Sequence, residues 1–177
     1  EGPVRASLAS GAGRWSSPDG SQYVGGFEDG ERHGRGKLTL ADGGVIQGEW
    51  AGGKLHGRAT IALSDGFRYD GEWSHGRRHG RGIAHDASGA SYEGEWSQDM
   101  RSGEGTWVAS AAVQSGQGVT DGDHDASGEV PTRYAGQWSA GCKTGHGAIA
   151  YLSGSSYVGG FNEAEAFEGV GRYVGSD

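Results

Sequence analysis

Along most of the chain, rings, glycines and polar residues alternate on a two-residue step, and the alternation restarts every 23 residues. Tyr23-Val24-Gly25-Gly26-Phe27, Ile46-Gln47-Gly48-Glu49-Trp50, Tyr69-Asp70-Gly71-Glu72-Trp73 and Tyr92-Glu93-Gly94-Glu95-Trp96 set the period. Tyr134-Ala135-Gly136-Gln137-Trp138 and Tyr157-Val158-Gly159-Gly160-Phe161 take it up again after an interruption. In a strand, alternate side chains point to opposite faces, so each motif predicts a strand with its rings on one face. A second signature follows each opening: His33-Gly34-Arg35-Gly36, His56-Gly57, His79-Gly80-Arg81-Gly82, Gly103-Glu104-Gly105 and Gly145-His146-Gly147. It runs on into alternating apolar positions (Leu38 and Leu40, Ile61 and Leu63, Ile149 and Tyr151), which predicts a second strand. Asp29-Gly30 or His75-Gly76 supplies a turn between the two strands. Asp42-Gly43, Asp65-Gly66, Ser88-Gly89 and Ser153-Gly154 turn the chain into the next unit. Each unit therefore reads as an antiparallel β-hairpin, and the class is all-β.

Six hairpins follow a leading half unit formed by Gly11-Ala12-Gly13-Arg14-Trp15 and closed by Asp19-Gly20. The predicted organisation is an N-terminal segment with the half repeat over 1–22, repeats one to four over 23–107, an insertion over 108–133, and repeats five and six with a C-terminal cap over 134–177. From Tyr92 to Tyr134 is 42 residues, 19 more than one period. The inserted stretch is rich in Ala, Ser, Gly and Asp, which predicts a flexible acidic loop.

The glycines have a steric role. In the simplest hairpin register Gly71 faces Gly82 and Trp73 faces Gly80, so bare backbone leaves room for the rings. The same register sets Glu72 opposite Arg81 and Glu49 opposite Arg58 on the other face. Such cross-strand pairs are worth roughly 0.2–1 kcal/mol each, whereas removing a buried Trp costs about 3–5 kcal/mol. The rings are expected to hold the fold together.

Composition narrows the alternatives. Glycine supplies 38 of 177 residues, yet only three prolines are present and no Gly-x-y triplet persists, which excludes collagen. Six Trp, seven Tyr and four Phe at regular places argue against disorder. No stretch approaches the roughly 18 apolar residues of a membrane-spanning helix, and no apolar leader is evident. The single cysteine, Cys142, fits a reducing compartment. Residues 1–81 carry 11 Lys/Arg against 10 Asp/Glu, and residues 82–177 carry 4 against 13. A net charge of −8 with an acidic second half argues against nucleic acid as partner, and weakens docking on anionic lipid.

Candidate chemistry is sparse. His33, His56 and His79 recur in register, but equivalent atoms of successive hairpins stand about 10 Å apart, too far to share a metal that needs ~2 Å bonds. Packing or turn hydrogen bonding is their expected role. Asp123-His124-Asp125-Ala126-Ser127-Gly128 imitates the opening of a calcium loop, but Tyr134 stands where the closing Glu belongs. Cys142 and His146 lie around a turn with no evident third partner. No serine occupies a Gly-x-Ser-x-Gly elbow, and no Gly-Lys-Ser/Thr follows the Gly-x-Gly repeats. No catalytic residue, metal or cofactor is predicted.

Tyr-x-Gly-x-Trp/Phe followed by a turn glycine and His-Gly-x-Gly, on a 23-residue period, resembles the MORN (membrane occupation and recognition nexus) repeat. The match covers roughly residues 11–177 apart from the insertion. It departs from the pattern at Ser102, Thr144 and Phe167, which replace the histidine, and at Ala164, which replaces a turn glycine. The resemblance implies an elongated single-sheet solenoid of hairpins, a twisted rod with a groove, about 60 Å long at ~4.8 Å per strand. It implies a non-enzymatic scaffold or structural subunit of a larger assembly in the cytoplasm, associated with cytoskeleton, cilium or organelle. On this reading an aromatic-lined groove takes a helix or extended segment of a partner protein. Its candidate contacts are Tyr23, Phe27, Trp50, Tyr69, Trp73, Tyr92, Trp96, Tyr134, Trp138, Tyr157 and Phe161. The alternatives are a membrane tether, with Arg77, Arg78 and Arg81 meeting anionic phospholipid or an acidic partner, and a regulatory module of a larger enzyme.

Overall fold

The computed structural model describes residues 10–117, 119, 125, 127–162 and 164–176. Thirteen strands, all antiparallel and in chain order, make one open sheet. β1 (Gly11–Ser16) is the leading half unit. The hairpins are β2 (Gln22–Glu28) with β3 (Glu31–Thr39), β4 (Val45–Ala51) with β5 (Lys54–Ala62), and β6 (Arg68–Ser74) with β7 (Arg77–His85). After them come β8 (Ser91–Ser97) with β9 (Met100–Val108), β10 (Pro131–Ser139) with β11 (Cys142–Tyr151), and β12 (Ser156–Phe161) with β13 (Phe167–Val174). In the first five hairpins two-residue turns with positive φ at both positions join the strands, as at Asp29 (50°) and Gly30 (82°). That geometry matches the natural twist of paired strands. The fourth hairpin makes the same turn without glycine, through Gln98 (52°) and Asp99 (71°).

The simplest register holds for the first half of each hairpin and then slips. Gly71 faces Gly82 as expected, but the next pairs are Glu72 with His79 and Trp73 with Arg78, so Gly80 and Arg81 bulge out. Gly80 instead faces Trp96 of the following hairpin, and Arg81 faces Glu95. Likewise Arg58 faces Glu72, not Glu49. The expected within-hairpin pairs Trp73–Gly80, Glu72–Arg81 and Glu49–Arg58 are therefore replaced by pairs between hairpins. The cause is the backbone of the bulge: Gly80 sits at φ +60°, a left-handed conformation that glycine adopts without steric cost. The Glu72 carboxylate then accepts a hydrogen bond from the Arg81 backbone N–H at 3.1 Å. Gln137 does the same for His146, at 2.9 Å.

The insertion does not interrupt the sheet. β9 runs to Val108 and β10 starts at Pro131, and the two pair directly, with Gly105 opposite Gly136 and Trp107 opposite Tyr134. Between them the segment read as a loop opens with a one-turn helix, α1 (Ala111–Gln114), capped by the Ser110 side chain. Ala109, Ser110 and Val130 are buried where it leaves and rejoins the sheet. The calcium-like motif lies partly outside the described residues; of it, Asp125, Ser127 and Gly128 are described.

Candidate functional site

The two faces of the sheet do different work. On one, the rings interlock edge to face. Tyr69 touches Trp73 and Trp96 with ring centroids 5.2 and 5.5 Å apart. Tyr92 bridges Trp96 and Trp138, and Tyr134 bridges Trp138 and Phe161. Tyr157 carries the ladder on from Phe161 to a stacked Phe167. A first, separate stretch joins Phe27, Tyr23 and Trp50. The polar ends are used too. Each indole N–H donates to a carbonyl of the preceding strand, Trp96 to Gly82 and Trp138 to Gly105 at 3.1 Å each. The tyrosine hydroxyls donate to carbonyls at the bulge of their own hairpin, Tyr69 to Glu72 and Tyr134 to Gln137. Burial pushes the Tyr92 and Tyr134 hydroxyls up to about 12, and raises Tyr23 and Tyr69 as well.

The glycines are what let the rings lie flat. A Cβ on Gly71 would sit 2.5 Å from the Gly82 Cα and 2.6 Å from the Tyr69 hydroxyl. One on Gly82 would collide with the Tyr69 phenol. Gly80 serves another purpose: a Cβ there would meet the Glu72 carboxylate at 2.6 Å, not an indole.

Of the eleven aromatic positions expected to meet a partner, ten are buried against one another and only Phe27 is partly open. Their neighbours have used up their surface. Beside Phe27 the half-exposed Trp15 joins Tyr23 and Arg32 around a hollow of about 230 Å³.

Cations cap the ladder, a feature that the sequence reading missed. Arg32 lies over Trp50 at 4.3 Å, Arg78 over Trp96 at 4.3 Å, and Arg101 over Trp138 at 4.2 Å. Each also reaches toward a second ring, and Lys143 approaches Tyr134. The signal was present: Arg32, Arg78, Arg101 and Lys143 each stand five residues after Phe27, Trp73, Trp96 and Trp138. The cluster Arg77, Arg78, Arg81 is thereby divided. Arg78 is held on the ring face by Trp96 and by Asp99 at 3.2 Å, Arg77 donates to Gln98, and Arg81 belongs to the opposite face.

That opposite face is hollowed along its length. Three adjoining depressions, of about 630, 280 and 740 Å³, run from Val24 to Val158. The first two share Arg58 and Asp70. The second and third share Arg81, Glu93 and Gly94. Glycine and alanine backbone, from Gly36 through Gly94 to Ala148, lies along the floor, with exposed polar side chains between. The result is one open trough across ten strand spacings, about 48 Å at ~4.8 Å each.

The candidate catalytic and metal residues are not drawn into a site. His33 Nδ1 lies 2.9 Å from Glu28, and His56 packs edge-on against His75. Among the described residues no group of three His, Cys, Asp or Glu is placed to hold a metal ion. Cys142 opens β11 opposite Ser139, while His146 binds Gln137 through its backbone. Among the described residues no helix is long and apolar enough to cross a membrane.

A comparison with curated proteins returns no match. Among solved structures, the wild-type TCP10 domain of Danio rerio CPAP, in complex with a peptide of Danio rerio STIL, is similar at 13% identity. The likeness covers 89% of this chain and 83% of that one with a TM-score of 0.24, and nothing about this chain's partner follows from it. The MORN repeat profile matches residues 23–45, 47–68, 69–91, 92–109 and 134–156, more than half of the chain. Those matches fall on the hairpins of the aromatic ladder, and the chain belongs to the MORN repeat family.

Proposed function

We propose that the chain is a non-enzymatic scaffold that binds a segment of a partner protein along the trough, as a subunit of a larger assembly in the cytoplasm. MORN repeats point to a protein-binding or scaffold role. The observation that carries the reading is the continuous trough from Val24 to Val158, on the face the rings do not occupy. Long, open concavities on a rigid sheet suit an elongated ligand better than a small one, which is normally enclosed over most of its surface. The non-enzymatic part rests on how the polar groups are spent. Tyrosine hydroxyls, indole N–H groups and Glu72 are engaged with backbone groups that hold the hairpins together. Phe27 and Trp15 offer a secondary foothold at the N-terminal end. A membrane tether would need Arg77, Arg78 and Arg81 together on one surface, whereas Arg78 is occupied by Trp96 and Asp99.

Photo-crosslinking residues placed at Thr60 and Thr106, which line the trough, and at Lys143 on the ring face, test this in cells that express the protein. Capture of one protein from both trough positions and not from Lys143 supports it. Capture from Lys143 alone, or from none of the three, overturns it.

A further inference from the structure

Where the ladder begins, on the ring face, a hollow and an incompletely satisfied cation lie side by side. Phe27 touches one ring, Tyr23, whereas Trp96 and Trp138 each touch two. The half-exposed Trp15, with Tyr23, Phe27, Glu31, Arg32 and Gly53, lines a space of about 230 Å³. One ring fits such a space, since an apolar cavity of about 150 Å³ takes up benzene.

Arg32 differs from its counterpart two hairpins on. Arg32 and Arg78 each donate through Nη2 to a turn carbonyl of the next hairpin, Gly53 and Asp99, at 2.9 Å. Those turn residues share a backbone shape, with φ 72° and 71°, and each returns its N–H to the arginine's carbonyl. The difference is the side chain. Asp99 Oδ1 accepts from the Arg78 backbone N–H at 2.9 Å and from its Nε at 3.2 Å. Glu165 serves the backbone N–H and Nζ of Lys143 in the same way. Gly53 has no carboxylate, and among the described residues nothing accepts from Arg32 Nε. Its cross-strand neighbour on β2 is the uncharged Phe27. Glu31 is the one carboxylate in the lining and makes no ion pair with it. Arg101 also meets a glycine turn, at Gly141, but keeps Glu165 as a nearby negative charge. Burial lowers Arg32 from its ordinary value with no carboxylate to offset it.

We infer that this hollow docks a partner-protein segment through one aromatic side chain and an adjacent Asp or Glu. The ring enters beside Phe27 and Trp15, and the carboxylate meets Arg32 as Asp99 meets Arg78. The ring supplies the edge-to-face neighbour that Phe27 lacks. The carboxylate gains charge-assisted hydrogen bonds from a guanidinium already partly withdrawn from water. A protein segment suits the hollow better than a small molecule, because the space is open and small ligands are normally enclosed over most of their surface. The site lies on the face opposite the trough and does not depend on what the trough binds.

The test follows the tryptophan indole N–H signals of the isotope-labelled full chain by NMR, with the Trp15 signal assigned through Trp15→Phe. The probes are the blocked dipeptides acetyl-Asp-Phe-amide and acetyl-Phe-Asp-amide. At least one is expected to move the Trp15 signal and to bind about fivefold or more tightly than its Asn-for-Asp and Ala-for-Phe counterparts. Arg32→Leu, which copies Leu55, should erase the preference for Asp over Asn. Gly53→Asp, which copies Asp99 on a backbone already shaped for it, should supply the carboxylate from within and cut binding about fivefold or more. Circular dichroism checks the fold of both variants, and if one does not fold the other carries the test. No movement of the Trp15 signal, equal affinity for the Asp and Asn peptides, or undiminished binding to Gly53→Asp would overturn the inference. Crosslinking from Thr60 and Thr106 reads the trough separately: capture there with failure here removes only this site, and the reverse removes only the trough.

Discussion

The second and third hairpins occupy the same place in the repeat and are built differently. In the third, Tyr69 lies across bare backbone at Gly71 and Gly82, Trp96 closes over it, and Arg78 caps the pair. In the second, Ile46 stands where the tyrosine should be, Leu55 where the arginine should be, and Ala59 where the glycine should be. The three changes belong together. Without a phenol at position 46 nothing sweeps the space above position 59, so a methyl fits there and Ala59 is buried. One repeat before the place where Arg78 caps Trp96, Leu55 stands in the position of the cation and fills the volume by burial instead. The aromatic ladder is consequently broken between Trp50 and Trp73, and Trp73 has one ring neighbour where Trp96 has two. A repeat position is therefore specified as a set of residues that fit one another, not residue by residue.

The largest effect should come from the ladder. Trp96→Ala removes a buried indole, two ring contacts and a hydrogen bond, and is expected to cost about 3–5 kcal/mol in urea unfolding. Trp73→Ala should cost measurably less because of the break beside it; equal losses would show that the ladder is not what the rings contribute. Next, Gly82→Ala should lose about 1–3 kcal/mol by forcing a methyl into the Tyr69 phenol. Combined with Tyr69→Ile, which copies the second hairpin, the same substitution should cost clearly less than the sum of the two. Simple additivity in that cycle would refute the idea of a matched set.

Alkaline titration separates the hairpins by a different route. Burial raises Tyr23, Tyr69, Tyr92 and Tyr134 above the ordinary tyrosine value, with Tyr92 and Tyr134 pushed up to about 12. A raised folded-state value stabilises the fold fully below the unfolded tyrosine value of about 10, and that stabilisation disappears as pH climbs toward 12. The melting temperature should thus be flat up to about pH 10 and fall steeply above it. Tyr92→Phe should reduce the slope of that fall, whereas a substitution at Ile46 should leave the slope unchanged. The smallest effect belongs to Glu72→Ala. It removes one solvent-exposed hydrogen bond to the Arg81 N–H, worth roughly 0.5–1.5 kcal/mol, and a loss as large as that from Trp73→Ala would contradict the ranking of rings over polar contacts.

Much of this was legible in the chain. The 23-residue recurrence of Tyr-x-Gly-x-Trp announced hairpins, and the pairing of Gly71 with Gly82 followed from their spacing. The candidate site was less legible. The rings looked like a surface awaiting a partner because a lone sheet has no second layer, yet all but Phe27 are buried, most of them against rings of their own and of a neighbouring hairpin. The Arg81 side chain looked paired to Glu72 because the simplest register puts them opposite. The two-residue bulge that separates them depends on a left-handed glycine conformation, which Gly80 permits and does not announce.

What the sequence determined by itself is local: the period, the strands, the turns, and the glycines that admit rings, because two-residue alternation and steric bulk act between residues near in the chain. What only the tertiary structure decided is which face is left over. The bulge within each hairpin and the pairing of that hairpin with the next set the aromatic residues in the interior, Arg32, Arg78 and Arg101 over the rings, and Arg35, Arg58 and Arg81 along an open trough. Those assignments come from how one hairpin's bulge docks against the next hairpin's rings, a packing relation between segments that no single 23-residue unit contains.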